Sequence, residues 1–149
     1  LGAAWTAGSG TVNLGSAAAD ASFVAGTYAI DLSSATVATA STDGFTVSSA
    51  GTAAITGSNG DDAITNISGA STIIAGAGAD TITNTADNSA LTGGAGIDTF
   101  DINGGAVTIT DVGAGGADNV DVASGSTVVG TLGAAWTAGS GTVNLGSAA

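Results

Sequence analysis

The chain contains no Lys, Arg or His, so it carries no cationic side chain. Without one it cannot neutralise phosphates, which excludes nucleic-acid binding by ion pairing. Attraction to an anionic lipid surface fails for the same reason. Cys is absent too, which removes disulfides and thiol catalysis together. With no His, Cys, Lys, Arg or Glu, almost every general base or activated nucleophile is excluded, and a Ser has no imidazole to activate it. The chain is therefore expected not to be an enzyme. Pro and Met are missing, and aromatic residues amount to 4%. No apolar run is long enough to span a bilayer. No signal peptide and no initiator Met are present, so a mature product or an internal piece of a longer protein is expected.

What remains is a 149-residue chain with 26 Gly, in which all twelve acidic residues are Asp. Its formal charge of −12 has no internal counterpart. Such a chain repels itself, and an external divalent cation is the natural offset.

Repeats occur at two scales. Residues 1–18, LGAAWTAGSGTVNLGSAA, recur unchanged at 132–149. This reads as a 131-residue unit followed by the start of the next, hence a tandem array. The shorter period is nine. Ile55, Ile64, Ile73, Ile82, Leu91, Phe100 and Ile109 are each nine apart. Each is flanked by small or polar residues, as in Thr81-Ile82-Thr83, which predicts short strands with one inward side chain. A second run of nines holds Trp5, Leu14, Phe23 and Leu32; Phe45, Val120 and Val129 extend the series. Fourteen inward positions fall within one unit, with Trp136 opening the next.

Four segments share a further register. GGAGIDTFD at 93–101 fits G-G-x-G-x-D-x-U-x at every defined position, U being a large apolar residue. GSNGDDAIT at 57–65, AGAGADTIT at 75–83 and GAGGADNVD at 113–121 each depart from it at one glycine. Asp62, Asp80 and Asp98 are 18 apart and Asp118 lies 20 further on, while the alternate positions Ala53, Ser71, Ser89, Val107 and Thr127 are never acidic. An 18-residue turn would stack the four Asp on one edge. Asp43, two residues before Phe45, is a weaker fifth member. Asp61, Asp87, Asp101, Asp111 and Asp121 read as solvated turn residues. The glycosylation triplet Asn66-Ile67-Ser68 reads as a turn within the register.

These segments resemble the RTX, or hemolysin-type, calcium-binding nonapeptide repeat. The resemblance is clear over 48–130 and holds only in spacing over 1–47. It implies an all-β, right-handed parallel β-solenoid (a β-roll), with two nonapeptides per turn and hence about seven turns per 131-residue unit, continuous over 1–149 and less regular at 1–47 and 131–149. It implies calcium between successive turns, held by Asp62, Asp80, Asp98 and Asp118 with backbone carbonyls. Gly60, Gly76, Gly78, Gly94, Gly96 and Gly116 would form the turns. Calcium is a hard cation that takes six to eight oxygens, which suits this composition. The resemblance further implies a secreted chain that folds on calcium outside the cell. The function expected is structural: a repeat unit of a filament, surface layer or adhesin stalk, extracellular or on the cell surface. Its partners would be copies of itself, end to end or as covalent tandem repeats, with no nucleic acid and no membrane insertion. The alternative is a ligand-binding solenoid, for ice, a glycan or surface adhesion. It rests on Thr65, Thr72, Thr81, Thr83, Thr92, Thr99, Thr108 and Thr110, whose rows are broken by Ala63, Ile74, Ala90, Asp101 and Asp121.

Overall fold

A computed structural model describes residues 5–6, 13–14, 21–37, 43–133 and 142–145. Every described element is a β-strand, and every described ladder is parallel. The early strands are β1 (Trp5–Thr6), β2 (Asn13–Leu14), β3 (Ala21–Gly26), β4 (Ile30–Asp31), β5 (Thr36–Val37), β6 (Asp43–Ala50) and β7 (Ala54–Thr56). They are followed by β8 (Asp61–Ser68), β9 (Thr72–Ala77), β10 (Thr81–Asn84), β11 (Ser89–Ala95), β12 (Thr99–Ile102) and β13 (Ala106–Val112). The last are β14 (Asn119–Val122), β15 (Thr127–Leu132) and β16 (Thr142–Leu145).

The strands stack into two seven-stranded sheets, ordered β1-β4-β7-β9-β11-β13-β15 and β16-β14-β12-β10-β8-β6-β3. The chain steps from one sheet to the other and back, which makes a β-solenoid. Strand residues alternate between the two faces of a sheet, so each rung sends one large side chain inward. Ile55, Ile73, Leu91 and Ile109 line one wall of the core, and Ile64, Ile82, Phe100 and Val120 line the other. All eight are nearly inaccessible to solvent, and their burial is the main favourable term in a chain this rich in Gly.

The coils are somewhat fewer than the seven expected, a minor difference. The cause is local to the first part of the chain. Trp5 pairs with Ile30 and Ile30 with Ile55, so these coils take 25 residues each, not 18. The extra length holds a third strand: β2 pairs with β5 in a separate two-stranded sheet. The nine-residue run through Leu14 and Leu32 is therefore not a pair of strands per turn. Leu32 is buried just beyond β4, and Ile30 holds the strand position. Trp136 and the 38–42 part of the irregular stretch before Phe45 lie outside the described residues.

Two other inward positions differ from expectation. Val47, not Phe45, stands in register with Ile64, because β6 carries a bulge between Asp43 and Thr46. Phe45 is nevertheless buried, and its ring lies 5.9 Å from that of Phe23 at 41°. Near the other end Val128 pairs with Val107 and packs on the core, while Val129 is 60% exposed. A register shift between Ile109 and Val112 accompanies that change.

Candidate metal centre

The predicted column forms on one edge of the solenoid. Asp62, Asp80, Asp98 and Asp118 each stand at the mouth of a strand of the same sheet, with exposures of 2%, 1%, 0% and 1%. Each carboxylate reaches back by one coil to a backbone N–H. Phe45 N–H donates to Asp62 Oδ1 at 2.6 Å, and Asp62 N–H donates to Asp80 Oδ1 at 2.7 Å. Asp80 N–H donates to Asp98 Oδ1 and Asp98 N–H to Asp118 Oδ1, both at 3.0 Å. The column is thus a hydrogen-bonded relay along the rod axis. Asp43 is not part of it. The bulge in β6 sets Asp43 opposite Asp61, and the place above Asp62 is taken by Gly44 and Phe45.

The second oxygens divide the four into two kinds. At the ends they are satisfied: Ser58 N–H donates to Asp62 Oδ2 at 2.6 Å and Gly113 N–H to Asp118 Oδ2 at 2.7 Å. Ser58 Oγ adds a bond to Asp62 Oδ1 at 3.1 Å. In the middle, Asp80 Oδ2 and Asp98 Oδ2 are buried without any hydrogen-bond partner. Part of the reason is Asp111. Its carboxylate, from the next coil, accepts the N–H groups of Gly93 and Gly94 at 3.1 and 2.7 Å, in the turn that leads into Asp98. A buried carboxylate oxygen left unpaired is costly unless it is protonated or meets a cation.

The electrostatics agree. Burial pushes Asp80 up to about 7 and Asp98 up to about 6. Backbone N–H bonds oppose that rise, and neighbouring carboxylates add to it. Burial also raises Asp62, against the bonds from Ser58 and Phe45.

The glycines leave the room this column needs. Gly76, Gly78, Gly94 and Gly96 all have positive φ, between 108° and 140°, where an L side chain is strained. A Cβ on Gly94 would strike the Gly76 carbonyl, and one on Gly96 the Gly78 carbonyl. A Cβ on Gly93 would strike the Asp98 carboxylate itself. Gly60 and Gly116 do not share the positive φ. The last turn is two residues longer and bends instead at Gly113 and Gly115, with φ of 83° and 82°. Gly116 is still held to a small residue, because a Cβ there would meet the Gly96 carbonyl.

The donor set fits a hard cation in one respect and limits it in another. The unpaired Asp80 and Asp98 oxygens are the ligand type that calcium takes. Among the described residues, however, no three acidic side chains gather as a metal-holding group. One Asp per coil gives any gap two column carboxylates at most, so further ligands would have to be backbone oxygens or water.

Three Asp read as solvated turn residues do more than that. Asp61 Oδ1 accepts the N–H of Ala79 at 2.7 Å, and Asp87 Oδ1 accepts that of Ala106 at 3.0 Å. With Asp111, they tie one coil to the next. Asp101 and Asp121 face each other in register on β12 and β14.

The edge opposite the Asp column carries a polar column of its own. Ser49, Asn66 and Asn84 are in register and buried, and Ile102 and Val122 continue the line. Asn66 Nδ2 donates to Asn84 Oδ1 at 2.9 Å and to Ser89 Oγ at 3.0 Å. Ser71 Oγ donates to Asn66 Oδ1 at 3.2 Å. The triplet at Asn66 is therefore inside β8, its amide enclosed and bonded, and it is no exposed turn. The signal was in the sequence: Asn66 and Asn84 are 18 apart, as are Ser71 and Ser89. Comparison of the chain with protein-family models, with curated proteins and with solved structures found no match.

Proposed function

We propose that the chain is a calcium-stabilised structural repeat unit of the RTX type, part of a secreted bacterial filament, surface layer or adhesin stalk. The observation that carries this reading is the pair of buried, unpartnered oxygens on Asp80 and Asp98. Asp80 and Asp98 would hold the ion foremost, with Asp62 and Asp118 bounding the column. Calcium bound there would supply the positive charge that a chain without cations lacks. Binding and folding are then one event, because the column exists only when the coils are stacked. Such a chain stays unfolded where calcium is scarce and folds outside the cell. No catalytic role is proposed.

The test is far-UV circular dichroism of the whole chain, titrated from chelator into millimolar calcium. A cooperative rise of β signal is expected, with magnesium much less effective because it demands a tighter, octahedral shell. A full β spectrum in chelator, unmoved by calcium, would sink the reading.

A further inference from the structure

Thr-Val-Asn-Leu occurs twice, at 11–14 and at 142–145, inside the identical 18-residue stretches. The fold uses the two copies differently. Asn13 and Leu14 pair with β5 over two register positions, in the small separate sheet. Thr142–Leu145 pair with β14 over four positions and form the outer strand of a seven-stranded sheet. The segments are chemically the same. Whatever the edge of β14 accepts from 142–145, it accepts from 11–14 of a second copy.

We propose that the recurring segment is a strand-exchange joint between units: its Thr-Val-Asn-Leu completes the sheet of the preceding unit by parallel addition to β14, supplied by 142–145 within a chain or by 11–14 between chains. An open strand edge with unpaired N–H and C=O groups is what drives such additions. The contact joins unlike surfaces, so it does not close into a dimer but continues head to tail. Within one chain a short tether of residues 133–141 keeps 142–145 at high effective concentration, which holds the joint shut in dilute protein. The joint supplies the connection that the filament reading above requires. It is made of backbone pairing and does not depend on which ion fills the Asp column.

The experiment is sedimentation velocity of the full chain in millimolar calcium, with folding checked by circular dichroism. Asn144→Pro removes an N–H on the side of the strand that faces β14 and should release the tethered segment. Its weight-average mass is expected to rise several-fold with concentration, beyond a dimer, while the unchanged chain stays monomeric at the same dilution. Adding Asn13→Pro should return the variant to monomers. An Asn144→Pro chain that stays monomeric up to millimolar concentration overturns the proposal, and so do oligomers that survive Asn13→Pro. A second measurement leaves Asn144 in place. Asp121 stands opposite Asn144, the counterpart of Asn13. Asn13→Cys with Asp121→Cys, in a chain otherwise free of Cys, should trap a ladder of disulfide-linked multimers on slow oxidation at several millimolar protein, where second copies outcompete the tether. Monomers alone would overturn the joint even if the proline variant does not fold. Failure of the calcium reading would show instead as a β spectrum indifferent to calcium.

Discussion

Replacing Asp80 and Asp98 together by Asn is expected to free folding from calcium: the double variant should give a full β spectrum in chelator at neutral pH and no response to added calcium. Charge is the cause. Neighbouring column carboxylates sit one coil apart, about 5 Å by the strand spacing. At an effective dielectric near 20 that repulsion costs about 3 kcal/mol per pair, and burial adds to it. Asn keeps the shape and keeps an oxygen to accept the N–H of Asp62 or Asp80. Its amide takes the place of the unpartnered oxygen and carries no charge. Asp62→Asn and Asp118→Asn should do much less, since their second oxygens already accept N–H groups from Ser58 and Gly113. Circular dichroism and calorimetric calcium titration of the three proteins check this. A double variant that still needs calcium to fold would mean that the repulsion lies elsewhere. Equal effects at ends and middle would mean that the orphaned oxygens are not the site.

Acid should substitute for calcium. The folded-state values of Asp80 and Asp98 are raised to about 7 and about 6, well above the ordinary unfolded carboxylate near 4. A group raised in this way contributes stability that is full below the unfolded value and is lost as pH rises through the folded one. The window follows from the two values: stability is lost between pH ~4 and pH ~7 in metal-free protein. A tenfold difference in proton affinity between the folded and unfolded chain is worth about 1.4 kcal/mol, so the two groups are enough to decide the folding of a chain this size. Metal-free chain that is coil at pH 8 should therefore gain β signal on acidification. With calcium present the trend reverses, because protons compete with the ion for the same oxygens. The Asn double variant should lose both trends, which separates these two carboxylates from the general effect of charge −12. Metal-free protein whose β signal grows with rising pH would contradict the assignment.

The regular part of the rod is legible in the sequence because two independent spacings agree. Ile55 to Ile109 at nine gives the strands, and Asp62, Asp80 and Asp98 at 18 gives the coil. The unpaired oxygens are not legible. That of Asp98 depends on which N–H groups Asp111 removes, and nothing near Asp98 in the chain announces a residue reaching in from another coil. The first coils mislead for a different reason. Trp5, Leu14, Phe23 and Leu32 keep the nine-residue spacing, yet the strands there pair at offsets of 25 and 23. Strands of two residues carry no alternation to read, so a third side to the coil leaves no trace in the pattern. Counting in nines selects Val129 over Val128, and one residue of slip sends a side chain to the opposite face.

That third side gives the rod a mechanical grain. Every coil is held to the rest only through the coils above and below it. Tension at the two ends of the chain therefore peels coils off one at a time and loads a single row of ladder bonds at each step, where a sheared sheet would load many together. A coil of 18 residues frees about 60 Å of extended chain, and one of 25 frees about 85 Å. A tandem array would yield in two step lengths, long ones from the three-sided coils and short ones from the two-sided coils that carry the Asp column, and each step would leave the remaining coils under unchanged geometry.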